Sequence, residues 1–194
     1  MRVLLHICCG PCAIMPLRRL LDEGLTVEGF FYNPNIHPLA EYLRRREGAA
    51  EVAEKYGLRM HWALEESDYD TAGWVQRAAA LGKARCPQCW WERLGRTFEL
   101  AAREGFAAVT TSLLYSRRQR HEEIAGLGRE LAGRHGLEFL YRDWRPDWQQ
   151  GIDVSKEWGV YRQQYCGCIF SENDRFARKL QKANACLKGE NGEN

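Results

Sequence analysis

Arg2-Val3-Leu4-Leu5-His6-Ile7-Cys8-Cys9-Gly10-Pro11-Cys12 is the stretch on which the fold turns. Arg2 to Ile7 is apolar apart from its first residue and His6, and reads as a short buried strand of the parallel-sheet kind. Cys8 to Cys12 form a tight loop, after which Ala13 to Glu23 carries helical spacing and stops at Gly24. Three of the five loop residues are cysteine, at the carboxyl end of the first strand.

The same alternation continues outward. Thr26 to Tyr32 reads as a second strand, Asn33 to Pro38 as a loop, and Leu39 to Tyr56 as a helix closed by Gly57. Strands are expected again at Arg59 to Trp62, Ala107 to Thr111 and Glu138 to Arg142. Helices are expected at Ser67 to Leu81, Pro87 to Glu104, Gln119 to His135, Ile152 to Trp158 and Ser171 to Leu187. This pattern predicts a three-layer, Rossmann/HUP-like α/β domain with a mostly parallel sheet, whose metal site and ligands lie beyond the carboxyl ends of the strands. Residues 1–187 are expected to form a single α/β catalytic domain, and 188–194 (Lys-Gly-Glu-Asn-Gly-Glu-Asn) a disordered tail.

Composition narrows the class. The 194 residues are 45% hydrophobic and carry a formal net charge of +2, which excludes a disordered chain, a collagen and a membrane bundle. No window approaches the roughly 18 consecutive apolar residues of a spanning helix. Eight cysteines without a signal peptide imply a reducing cytoplasm and thiols kept for chemistry. The cations are 22 Arg against 6 Lys, a bias suited to planar phosphate contacts and stacking on bases.

The cysteines fall into groups. Cys86-Pro-Gln-Cys89 opens a predicted helix, where free amides and the helix dipole favour thiolate. With Cys8, Cys9 and Cys12 it makes five thiols that a parallel sheet can bring to one mouth. Four thiolates hold zinc or an iron–sulfur cluster, and spacing alone does not separate the two. The adjacent Cys8-Cys9 pair is awkward around one small tetrahedral ion and more easily reaches different irons of a larger cluster. Cys166-Gly167-Cys168 closes only a small strained disulfide ring, the kind that behaves as a labile redox pair, unless its thiols are two more metal ligands. A nucleotide-binding α/β domain would need a Ser/Gly-rich phosphate loop, which the cysteines displace. A zinc-stabilised RNA-binding protein without catalysis would use the same thiolates and arginines but leaves the Cys166/Cys168 pair without a task.

From His6 to Ser171 the chain resembles the QueH family of epoxyqueuosine reductases. The resemblance rests on Leu5 to Cys12, Phe31 to Pro38 with Glu41-Tyr42 and Arg45, Arg85 to Trp90 with Arg93-Leu94, Thr110 to Leu114, and Tyr161 to Ser171, five motifs in order. It implies reductive removal of the epoxide oxygen of epoxyqueuosine at the wobble position of tRNA with a GUN anticodon, the last step of queuosine formation. It also implies a [4Fe-4S] cluster on Cys8, Cys9, Cys86 and Cys89, a redox-active pair at Cys166 and Cys168, and an external electron donor. Some relatives carry an aspartate beside an extra iron where this chain has Cys12, which makes Cys12 the candidate for one additional iron.

Substrate contacts are expected from several stretches. Asn33, Asn35 and Glu41 suit the cyclopentenediol hydroxyls or the deazaguanine edge, while Tyr32, His37 and Tyr165 are chemically able to donate a proton. Arg117, Arg118 and Arg120, in the basic run Ser116 to His121, suit the tRNA backbone. Arg142 and Arg145 with Trp144 and Trp148 form a cluster able to stack on or clamp an unpaired base, and Arg162 is a further tRNA contact.

Overall fold

In the computed structural model, which describes residues 1–63 and 65–187, five strands form one sheet. They are β1 (Arg2–His6), β2 (Thr26–Phe31), β3 (Met60–Trp62), β4 (Ala108–Thr111) and β5 (Glu138–Phe139), and their spatial order is β3-β2-β1-β4-β5. Every pairing is parallel, so the mostly parallel sheet expected from the sequence is parallel throughout. Val3, Leu4 and Leu5 of β1 are fully buried because helices cover both faces of the central strand.

Among the described residues seven helices connect and follow the strands: α1 (Gly10–Asp22), α2 (Leu39–Tyr56), α3 (Thr71–Leu81), α4 (Arg85–Arg103), α5 (His121–His135), α6 (Trp148–Glu157) and α7 (Ile169–Leu187). From β1 the chain works outward to β3 through α1 and α2, then crosses back to β4 and continues to β5 through α5. Right-handed crossovers in opposite directions put the two helix groups on opposite faces. Accordingly α1 packs on α2 and α6, and α4 packs on α5. The expected tail, 188–194, lies outside the described residues.

Most boundaries shift by one or two residues and α3 starts at Thr71, four residues later than expected; three further shifts have a local reason. Helix α1 starts at Gly10 rather than Ala13, because Pro11 in its first turn has no N–H to leave unpaired; Cys9 becomes its extended N-cap residue and Cys12 a helical one. Helix α6 begins at Trp148, entered through a short 3-10 turn, Arg145–Asp147, that contains Pro146. Strand β5 shrinks to Glu138–Phe139 because it is an edge with β4 as its one partner.

The start of α1 is seated by a close approach. A Cβ on Gly10 would lie 2.2 Å from the Gly48 carbonyl oxygen of α2, so no larger residue fits where the first strand turns into its helix. At the opposite end of the sheet Glu28 of β2 is buried beneath Arg2 (2.9 Å), His61 (2.7 Å) and Arg59 (3.5 Å). Burial pushes its carboxyl up, but the hydrogen bonds from Arg2 and His61 and the two arginine charges outweigh this and hold it below the ordinary range. A depressed carboxyl stabilises the fold above its ordinary pKa and loses that contribution as pH falls through the folded value. Glu28→Gln is therefore expected to cost about 1 kcal/mol at neutral pH in urea unfolding. The gap should narrow as pH drops below about 4; an equal gap at pH 7 and pH 3 would contradict this account.

Candidate functional site

Leaving β1 and β4, the chain heads to opposite faces of the sheet, which opens a crevice at their carboxyl ends. The Cys8 N–H donates to Ser112 Oγ (3.0 Å), just beyond β4, and that hydroxyl donates to Cys8 Sγ (3.3 Å). Cys8 and Cys9 sulfurs lie 3.7 Å apart, and with Cys12 all three fall within 4.8 Å of one another. The three thiols are free and buried. Hydrogen bonds from Cys12 and Cys9 lower the Cys8 thiol well below its ordinary range despite burial, helped by the charge of Arg93 and by Ser112. The neighbours bear the cost: Cys9 is raised mainly by burial, and Cys12 mainly by its bond to Cys8. The lowered thiol stands next to the amino end of α1, where the helix dipole also favours negative charge.

Cys86 and Cys89 sit on the first turns of α4, outside this 4.8 Å group. Burial pushes the Cys89 thiol up to about 12, against the charge of Arg93 one helical turn on. Arg93 Nη1 approaches Cys89 Sγ at 4.0 Å, and Nη2 donates to Asn33 Oδ1 at 2.7 Å. Asn33 in turn donates to the Ile7 carbonyl at 2.9 Å. A single side chain therefore links the CxxC helix to the loop that carries Cys8. Below the triad His6 is neutral: burial and the Arg93 charge lower its pKa to about 3. Its Nε2–H donates to the Tyr32 carbonyl (3.3 Å) and its Nδ1 accepts from Thr111 (2.9 Å).

The Cys166-Gly167-Cys168 loop is held by its backbone. Arg45 of α2 donates to the carbonyls of Cys166 (2.8 Å) and Tyr165 (3.1 Å), and its Nε pairs with Glu41 Oε1 (2.8 Å) in a fully buried ion pair. The second Glu41 oxygen accepts from Tyr161, the Tyr165 hydroxyl donates to the His37 carbonyl, and the His37 N–H donates to the Gly167 carbonyl (2.8 Å). Gly167 has φ +152°, and a Cβ there would lie 2.9 Å from Asn35 Nδ2. Glycine alone fits. Cys166 is exposed, with Gln119 Nε2 3.2 Å from its sulfur, while the Cys168 sulfur accepts from the Ser171 N–H (3.4 Å).

Between the triad and this loop lies a cavity of about 380 Å³. Cys8, Cys12 and Cys166 reach its wall together with Arg45, Arg93, Arg118, Arg162 and Arg175, and among the described residues no acidic side chain lines it. A family model described as epoxyqueuosine reductase QueH matches residues 3–174. The chain belongs to the QueH family. QueH relatives include the epoxyqueuosine reductase QueH of Dehalococcoides mccartyi, 33% identical over 91% of this chain and 96% of the relative. Those of Thermotoga maritima (35%, 89% of this chain, 91% of the relative) and Haemophilus influenzae (35%, 89% and 72%) are similar. A crystal structure described as a predicted subunit of tRNA methyltransferase from Methanocaldococcus jannaschii shares the fold, with TM-score 0.55 and 13% identity over 81% of this chain and 76% of that one.

Within this QueH chain the residues singled out by sequence divide sharply. Arg118 and Arg162 line the cavity. Arg117 instead donates to the Arg145 carbonyl (3.2 Å), Arg120 lies over the Trp90 ring (4.7 Å) and pairs with Glu123 (3.2 Å), Arg142 pairs with Glu23 (2.9 Å) and Arg145 with Asp143 (2.6 Å). Trp144 is core, whereas Trp148 stacks on Tyr115 at 5.2 Å on the cavity wall. Asn33 and Glu41, expected to touch substrate, are buried with both polar ends already engaged. Asn35 is buried with its carbonyl oxygen unpartnered, and Tyr32 is buried off the cavity wall, its hydroxyl pushed up to about 12 by burial. His37 is buried against Trp74 (5.0 Å), and burial lowers its pKa. Of the three proton-donor candidates Tyr165 lines the cavity.

Sequence reading missed Arg45, Arg93, Gln119, Ser112 and Arg175 as site residues. The available signal was a charged residue on an apolar helical stripe: Arg93 lies in register with Trp90, Leu94 and Thr97, and Arg45 with Tyr42 and Ala49. Removing one partner of a buried ion pair leaves the other uncompensated. Arg45→Met is expected to cost about 3–5 kcal/mol in urea unfolding. The double change Arg45→Met, Glu41→Leu should recover part of that loss; equal losses in the single and double variants would refute the pairing.

Proposed function

We propose that this chain is an epoxyqueuosine reductase that takes its substrate within a tRNA bearing a GUN anticodon and works in the cytoplasm, with residues 1–187 as its catalytic unit. Among the described residues no helix is long and apolar enough to cross a membrane. The observation that carries the reading is the shared cavity. Buried thiols from the β1 loop, an accessible thiol from the Cys166 loop and five arginines meet on one wall without a carboxylate, which suits sulfur redox chemistry on an anionic ligand.

The donor set fits an iron–sulfur group. Cys8, Cys9 and Cys12 are free, buried and all-sulfur, the soft ligands that iron–sulfur clusters and zinc take. In this reading Cys8, Cys9, Cys86 and Cys89 hold a [4Fe-4S] cluster, and Cys12 serves one additional iron. Such a group, when bound, supplies electrons singly and iron able to polarise an oxygen. Arg118, Arg162 and Arg175 are exposed at the mouth, where guanidinium forks suit phosphate oxygens. Trp148 adds an aromatic face on which a base can stack.

The reduction balances on the chain's own thiols. Cys166 and Cys168 give up two protons and two electrons and join as a disulfide. Both carbon–oxygen bonds of the epoxide break, an alkene forms, and the oxygen departs as water with those two protons. An external electron donor then restores the dithiol.

Protein purified without oxygen is expected to carry about four irons and four sulfides per chain, lost in the Cys86→Ser, Cys89→Ser variant, with any further iron assigned to Cys12. About one zinc without sulfide would leave a zinc-held RNA-binding domain as the better reading. A Cys166→Ser, Cys168→Ser variant should not turn over repeatedly; normal steady-state turnover would remove the dithiol from the mechanism. Arg118→Gln and Arg162→Gln should each weaken tRNA binding and lower the slope of log affinity against log salt by about 0.7–0.9. Unchanged slopes would place the tRNA elsewhere.

A further inference from the structure

Arg93 is a buried cation without a carboxylate. Its residue is 2% exposed, and among the described residues no Asp or Glu oxygen lies within ion-pair distance of it. The contrast with Arg45 is direct. Arg45 is equally buried at 2% and faces Glu41 at 2.8 Å. Arg93 has the neutral Asn33 amide at 2.7 Å, the Cys89 sulfur at 4.0 Å, and an Nε with no partner at all. A guanidinium is never neutral in a protein, and burying one without compensation is among the costliest arrangements a fold can contain. Of the groups its side chain contacts, only sulfur can carry the opposing charge.

The position of Arg93 identifies which sulfur. It stands one turn beyond Cys89 on α4 and is tied through Asn33 to the Ile7 carbonyl, one residue before Cys8. It also reaches the wall of the cavity shared by Cys8, Cys12 and Cys166. We infer that Arg93 is the internal counter-charge of the metal–thiolate centre, a positioning residue set between the Cys8/Cys9/Cys12 triad and the Cys86/Cys89 helix. The inference rests on the reading that these thiols hold metal. Thiolate centres carry net negative charge, so a fixed cation beside them favours metal retention and favours the reduced, more negative state. Arg93 does this without occupying a ligand position.

Two measurements on the full chain test this, using Arg93→Gln and Arg93→Lys. In anaerobic holoprotein, Arg93→Gln should shift the midpoint potential downward by about tenfold in the equilibrium, about 59 mV for one electron. Arg93→Lys, which keeps the charge, should restore most of it. In metal-free protein, Co²⁺ titrated into the thiols and followed by its thiolate absorption should bind Arg93→Gln about tenfold more weakly, or 1.4 kcal/mol, with Arg93→Lys close to wild type. Wild-type protein without iron and sulfide would defeat the cluster reading, while the Co²⁺ series would still decide the role of Arg93. Unchanged Co²⁺ affinity and potential in Arg93→Gln, or losses in Arg93→Lys equal to those in Arg93→Gln, would overturn the inference.

Discussion

Everything at the mouth of this sheet depends on one buried ion pair, Glu41 with Arg45. Four residues apart on α2, they face inward on the stripe that should be apolar, where an unpaired charge would not be tolerated. The pair spends little of its hydrogen-bonding capacity on itself. Arg45 turns two further donors to the carbonyls of residues 165 and 166, more than a hundred positions away, and Glu41 takes the Tyr161 hydroxyl. A segment with no regular secondary structure is thereby fixed against the first half of the fold. Gly167 completes the seat, because its missing side chain is what lets the loop lie against Asn35 and Ile36.

The second organising fact is the divergence of the chain on either side of β1. It places the first cysteine loop, the residues after β4 and the Cys166 loop around one opening, and Ser112 bridges the two central strand ends with a single hydroxyl. The charge distribution follows the same plan. Exposed arginines elsewhere on the surface mostly face acids, as Arg19 does Asp147 and Arg142 does Glu23, whereas those around the opening face none in the cavity wall. Net charge near zero therefore conceals a local concentration of positive potential.

The sheet was legible in the sequence because its period is unambiguous: short apolar runs separated by helices, with α2 recovered from Leu39 to Tyr56 and its Gly57 cap at both ends. Where the reading slipped, the cause was punctuation with two meanings. Gly10-Pro11 read as a loop is also a helix start, and that moves Cys12 onto the helix. The cysteine groups were visible as spacings, and the triad is as tight as its spacing implies. The ties among the groups were not visible, since they run through residue types that ordinarily face water and through partners far apart in the chain. Arg142 meets Glu23 across 119 positions, and no local pattern announces it. Arg93 and Arg45 did leave a trace, a charge where the helical stripe calls for a hydrocarbon.

The manner in which Arg45 grips the Cys166 loop carries a further consequence. Its two donors end on main-chain oxygens and not on sulfur, so the anchor is indifferent to what the cysteines are bonded to. Whatever bonds the two sulfurs make, they take up none of the anchor's own hydrogen bonds. Holding and presenting thus fall to different atoms of the same loop: its carbonyls are anchored while the Cys166 side chain stays exposed.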